Sequence, residues 1–308
     1  MALSILTALL AALSLAIGQA GFGITDPAIL WELRAPRTLL AILVGGGLGL
    51  SGAVLQGLLR NRLADPGLLG VTGGASLGAV LVYYYGLAAI LPLALPLGGL
   101  AGAACAAALI LAMAARTGTG ASLVLAGIAV ASLTGAAVAV ALSFAPNPFA
   151  LAEITIWLLG SLEDRGWNEV VLALPCIAAG SALLLGLGTR LDALTLGEQA
   201  AASLGIDVAG TVRRAAAGAA LAVGAAAAIA GGVGFVGLIV PNLLRAQVGE
   251  RPGALLLPSL VGGAALVLAA DIAVRLIPLQ QEMRLGVLTA LIGAPLLLRL
   301  AIAHRGQA

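Results

Sequence analysis

Apolar runs of about twenty residues follow one another along almost the whole chain, separated by short turns marked with Pro and Gly. A run of that length, coiled as a helix, matches the hydrocarbon thickness of a bilayer. Only 9% of the 308 residues are charged and 61% are hydrophobic, whereas an ordinary soluble domain carries about a quarter charged residues. The chain therefore reads as an all-α polytopic membrane protein. Spans are expected near 2–21, 38–58, 70–91, 95–115, 122–143, 169–188, 213–231, 234–248, 256–276 and 285–303, about ten crossings that form one transmembrane domain over 1–308. The turns fall at Asp65-Pro66-Gly67, Pro92 to Pro96, Pro146-Asn147-Pro148, Arg251-Pro252-Gly253 and Pro278, and Pro241 makes 234–248 a tilted or broken helix.

The residue types that are missing exclude several chemistries. All 15 basic residues are Arg, so the chain has no lysine for a phosphate-binding loop or a Schiff base. His304 is the only histidine, and Cys105 and Cys176 lie in separate apolar runs, which argues against a metal site or a Cys/His nucleophile pair. Both thiols are expected to be buried and unpaired. The first twenty or so residues end in small side chains, as a cleaved signal does. No basic residue precedes Arg34, however, so they read as a retained first span.

With a cytoplasmic N-terminus, ten arginines fall on the inner side (60, 62, 116, 190, 213, 214, 245, 251, 299 and 305) and five on the outer (34, 37, 165, 275 and 284). The positive-inside rule favours that orientation, with both termini cytoplasmic. Most carboxylates then lie outside: Asp26, Glu32, Glu153, Glu163, Asp164, Glu169, Asp271 and Glu282. None is placed at mid-span, where an ion-coupled carrier keeps an ionisable group. Asp271 comes nearest, four residues before Arg275, and a local ion pair accounts for it. Glycine pairs in or beside the spans, such as Gly73-Gly74, Gly98-Gly99 and Gly262-Gly263, suit close helix packing in lipid. Leu58-Leu59-Arg60 and Leu243-Leu244-Arg245 each lead to a Pro-Gly turn, the pattern an internal repeat or two similar inner turns would give.

One segment breaks the apolar pattern. Thr189–Arg214, TRLDALTLGEQAAASLGIDVAGTVRR, is a polar, helix-patterned island between hydrophobic hairpins. It is suited to dock onto something in water. Read from the residues alone, three machines remain open: a permease driven by a separate motor, a lone secondary carrier with a regulatory loop, and a passive Gly-rich channel.

The motifs carry a family resemblance. Arg34-Ala35-Pro36-Arg37-Thr38-Leu39, then SGAVLQGLLRNRLADPGLLGVTGGASLGA at 51–79, LVLAGIAVASL at 123–133, LTLGEQAAASLGI at 194–206, GGVGFVGLIVPNLLR at 231–245 and GVLTALIGAPLLLRL at 286–300 resemble, in order, the FecCD-type permeases of ABC importers for iron–siderophore complexes, haem and vitamin B12. The resemblance implies a type II importer subunit of ten spans. It further implies a homodimer, two cytoplasmic ATPase subunits that hold ATP and Mg, and a periplasmic or lipid-anchored binding protein. The chain itself would bind no cofactor and no nucleic acid, and would sit among lipids of the cytoplasmic membrane. It would be no enzyme.

Residue roles follow from the matching motifs. The island, about 189–212, corresponds to the coupling loop, with Leu196, Gly197, Glu198, Gln199, Ala200, Leu204 and Gly205 against the ATPase. Gly197 and Gly205 can bracket a short helix, with Glu198 near its positive N-terminus. Arg34, Arg37 and Arg275 match arginines that receive carboxylates of the binding protein. The turn Thr117–Ser122 matches the cytoplasmic closure, with Thr119, Gly120 and Ala121 as gate residues. Relatives commonly have Pro-His where this chain has Pro241-Asn242, which removes a titratable group. The cargo implied is a large metal chelate, an iron–siderophore or haem, with cobalamin as the alternative.

Overall fold

The computed structural model describes residues 2–18, 21–22, 26–91, 93–114, 119–145, 148–277 and 283–305. Pro92, Arg116, Thr117, Gly118, Pro146, Asn147, Pro278 and Glu282, used above, lie outside the described residues. The chain forms α1 (Ala2–Ala16), α2 (Ala35–Leu59), α3 (Val71–Tyr84), α4 (Ala94–Ala114), α5 (Gly120–Ser143), α6 (Pro148–Leu158) and α7 (Trp167–Leu185). Then come the short α8 (Gly188–Leu194) and α9 (Glu198–Ser203), followed by α10 (Val208–Ala230), α11 (Val236–Val248), α12 (Pro252–Leu276) and α13 (Leu285–Arg305). The described β-structure is a two-residue ribbon, Ile17–Gly18 against Gly21–Phe22.

Six helices are long and apolar enough to cross a bilayer: 27–59, 94–113, 120–143, 167–185, 208–230 and 252–276. The other expected spans appear as shorter apolar helices, 2–16, 71–84, 236–248 and 285–299. Span one stops at Ala16 because the chain turns into the ribbon. Span three, expected over 70–91, is cut at its far end: α3 stops at Tyr84, and Gly86, at φ 67°, leads into a 3₁₀ turn at Leu87–Ala89. Before α3, Arg60 closes α2 in a left-handed conformation, φ 50°, and the chain passes through a 3₁₀ turn, Pro66–Leu69. Gly70 rests on the backbone of Gly127 and Ala131, so α3 starts partway along α5. The helix α6 was not expected. Pro148 reads as part of a turn, yet it is the first residue of the helix, where its fixed φ and missing N–H cost nothing.

Glycine seams join the bundle. Gly45 and Gly49 of α2 meet Gly263 and Ser259 of α12, Gly74 and Gly78 of α3 meet Gly98 and Gly102 of α4, and Gly180 of α7 meets Gly218 of α10. A methyl group on Gly45 would overlap the carbonyl of Gly263. Close backbone approach of this kind supplies the dispersion contact that holds helices together in lipid. Helices α2 and α10 are mostly buried, whereas α4, α5 and α7 leave most of their surface open. Leu125, Leu133 and Val171 stand out from them. Cys105 is also on an open face of α4, contrary to the burial expected, while Cys176 is half-buried and both thiols are free.

Candidate functional site

The polar island folds as α8, a turn and α9. Gly197 enters α9 at φ 104° and Gly205 leaves it at φ 83°, both in the region that favours glycine. The N–H of Gly205 bonds Ala202 and that of Ile206 bonds Ala201, the paired closure that satisfies the last carbonyls of a helix. Asp207 then caps α10 by accepting the Gly210 N–H at 2.8 Å. Leu191 and Leu194 anchor the island in the core, while Leu196 and Leu204 are 67% and 65% exposed. Gln199, Ala200 and Gly205 are exposed as well, with Gly197 and Glu198 half-buried. The island thus keeps one face in the bundle and offers two leucines outward.

Two side chains tie it to other helices, and neither tie can be read from sequence spacing. Asp192 Oδ1 accepts the Gly253 N–H at 2.8 Å, and Oδ2 pairs with Arg251 at 3.2 Å, so α8 holds the start of α12. Glu198 Oε1 accepts the Gly120 N–H at 3.5 Å, at the start of α5. Thr119 caps α5 through Oγ1 to the Ser122 N–H at 3.3 Å. Gly120 is buried against Leu58 and Leu59, and Ala121 is exposed. The structure therefore joins two sets of residues nominated separately, the island and the Thr119–Ala121 segment. A carboxylate before a helix N-terminus also interacts favourably with the helix dipole.

At the opposite end of the bundle Arg34 and Arg275 converge on the end of α1, and Arg37 joins them through Asp271. Arg34 donates to the carbonyls of Leu15 and Ala16 at 3.0 and 3.1 Å. Arg37 pairs with Asp271 at 2.9 Å, and Arg275 pairs with the same carboxylate at 2.6 Å. Arg275 also donates to the carbonyls of Ser14 and Ile17, at 3.0 and 2.8 Å, and to the Ser14 hydroxyl. Asp271 is 1% exposed and Arg275 8%. The i, i+4 pair foreseen from the sequence is present, but Arg37 makes it a triad. All three arginines line one cavity of about 260 Å³, together with Arg165.

Leu162, Glu163, Asp164 and Arg165 form another wall of that cavity. Glu163 pairs with Arg284 at 2.8 Å, and Glu169 accepts the Gly166 N–H at 2.9 Å to cap α7. Asp164 holds a left-handed φ of 55°, a conformation that costs a non-glycine residue about 1–2 kcal/mol. Burial pushes the Arg165 guanidinium below its usual pKa, against the opposing pull of Glu169, Tyr83 and Asp164. Trp167 stacks on Trp31 with ring centroids 4.9 Å apart and donates to the Trp31 carbonyl at 2.9 Å, bracing the lead-in to α2.

Asn242 has a definite place. Its amide donates to the carbonyls of Arg62 and Leu238 at 2.9 and 2.8 Å and accepts from Arg245 at 2.9 Å, pinning the turn after α2 to α11. Beside it, Asp65 Oδ1 accepts the Gly67 N–H at 2.8 Å, and its Oδ2 is sealed from solvent without a partner.

The FecCD transport family model matches residues 2–303. The chain is 38% identical over 280 residues to the hemin transport system permease HmuU of Yersinia pestis, covering 90% of this chain and 84% of that protein. It is 39% identical over 283 residues to the cobalamin import permease BtuC of Halobacterium salinarum, covering 91% and 75%. A solved structure reported as an inward-facing metal-chelate type ABC transporter superposes with a TM-score of 0.86 at 32% identity, covering 96% of each chain.

Proposed function

Because the chain belongs to the FecCD transport family, and is therefore the multi-pass permease subunit of an ABC importer whose ATPase is a separate subunit, we propose that α8 and α9 carry the force of that ATPase into the bundle. The observation behind this is the contact of Glu198 with the start of α5, flanked by the exposed Leu196 and Leu204. The island end is cytoplasmic, with both termini on the same side. Two copies of the chain form the path, embedded in lipid, and two ATPase subunits seat the coupling residues Leu196–Ala200, Leu204 and Gly205. ATP and magnesium act on those subunits. A binding protein delivers cargo to the opposite end, where Arg34, Arg37 and Arg275 build the rim.

In this cycle a shift of α9 moves the Glu198 carboxylate and with it the Thr119–Ala121 segment, which opens or closes the cytoplasmic side. The partners must bind the two conformations with different affinity, since equal affinity shifts no equilibrium. The cargo is a large metal chelate, with an iron–siderophore or haem as the first reading. Cobalamin is the second, supported by a 39% identity to a cobalamin permease beside the 38% identity to a hemin permease.

The test is uptake into vesicles. Wild-type permease accumulates cargo only with ATPase and binding protein present, and the double variant Glu198→Gln, Leu204→Ser loses ATP hydrolysis stimulated by the binding protein. Accumulation by the chain alone, or normal stimulation in the double variant, would overturn the reading.

A further inference from the structure

Four guanidinium groups line the cavity at the rim end, but they are not equivalent. Arg34 is taken up by the carbonyls that end α1, and Arg37 and Arg275 share Asp271. Arg165 makes no hydrogen bond and no ion pair among the described residues, and its Nε is sealed from solvent. Two of the three neighbouring carboxylates are already engaged. Glu163 belongs to Arg284, Glu169 caps α7, and Asp164 lies exposed to solvent. Across the shared wall, Glu153 accepts from the Tyr83 hydroxyl at 3.5 Å.

A desolvated guanidinium without a partner is costly, and here the surrounding chain holds it in place. The left-handed backbone at Asp164 and the Gly166–Glu169 cap fix the segment on both sides of Arg165. The cavity lining sets four arginines against Glu163 and Asp164, of which Glu163 is already neutralised by Arg284. A planar guanidinium receives a carboxylate through two parallel hydrogen bonds.

We propose that Arg165 is a docking residue, the cation at this rim that receives an acidic side chain of the protein partner delivering cargo. Arg34, Arg37 and Arg275 line the same cavity and also tie the ends of α1, α2 and α12 together. An acidic protein side chain, rather than a lipid headgroup, fits a guanidinium recessed within a walled cavity at the end of the bundle. This assignment rests on the importer reading above.

The experiment uses the assembled permease–ATPase complex in nanodiscs and its binding protein. Arg165→Gln is expected to raise the Kd of the binding protein about tenfold or more, through faster dissociation. Arg165→Lys, which keeps the charge but not the fork, should recover part of that loss. The salt dependence of binding should be shallower in Arg165→Gln, while ATP hydrolysis without binding protein stays at the wild-type rate and marks an intact fold. Equal affinity of wild type and Arg165→Gln would overturn the assignment and leave the importer reading standing. So would unchanged binding-protein affinity with a raised KM for a carboxylate-bearing chelate such as haemin, since the carboxylate would then belong to the cargo. No binding of the protein to wild type would instead defeat the importer reading itself.

Discussion

At the scale of single residues, Asp271 carries the most consequence. One carboxylate pairs with two arginines from different helices in a place almost closed to water. Breaking a buried pair by removing one partner costs about 3–5 kcal/mol, because the remaining charge stays desolvated. Asp271→Ala is therefore expected to lower the melting temperature of the purified permease by several degrees, followed by fluorescence-detected size exclusion. Arg275→Lys should also destabilise it, since one ammonium cannot reach Asp271, Ser14 and Ile17 together. An unchanged melting temperature in both variants would mean that the triad contributes nothing net.

At the scale of elements, the seam between α2 and α12 is set by backbone meeting backbone. Gly263→Val is expected to force these helices apart, because even a single methyl group would overlap the carbonyl of Gly45. Overpacking of this kind costs about 1–3 kcal/mol, so yield and melting temperature should fall, while the same change at the open position Gly135 should leave both as they are. The bracketing of α9 by Gly197 and Gly205 was legible in the sequence, because local chemistry alone dictates it. Glu198 was legible as a helix-start carboxylate, but its partner Gly120 lies 78 residues away, and no local pattern encodes such a meeting. Likewise Arg275 declares its pairing with Asp271 through helix spacing, whereas Arg37 reaches the other oxygen of the same carboxylate only through tertiary packing. The helix α6 was missed because a proline that opens a helix and one that ends a span look alike in a string of letters. Arg165 was counted only as an outer charge, since its want of a partner is visible only in three dimensions.

At the scale of the whole molecule, orientation decides how these parts work together. In a background with Cys105 and Cys176 replaced by Ala, Leu204→Cys should react with a membrane-impermeant maleimide only after the cytoplasmic face is opened. Asp164→Cys should react in spheroplasts. Both side chains are exposed, so burial cannot mask the result, and the reverse pattern would invert the molecule. The glycine seams have a mechanical meaning at this scale. Where bulky side chains interlock, one rod can pass another only by unmeshing its teeth. Smooth rails have no teeth, so neighbouring rods can glide by small amounts and still touch. A machine assembled this way can change shape many times without rebuilding its interior.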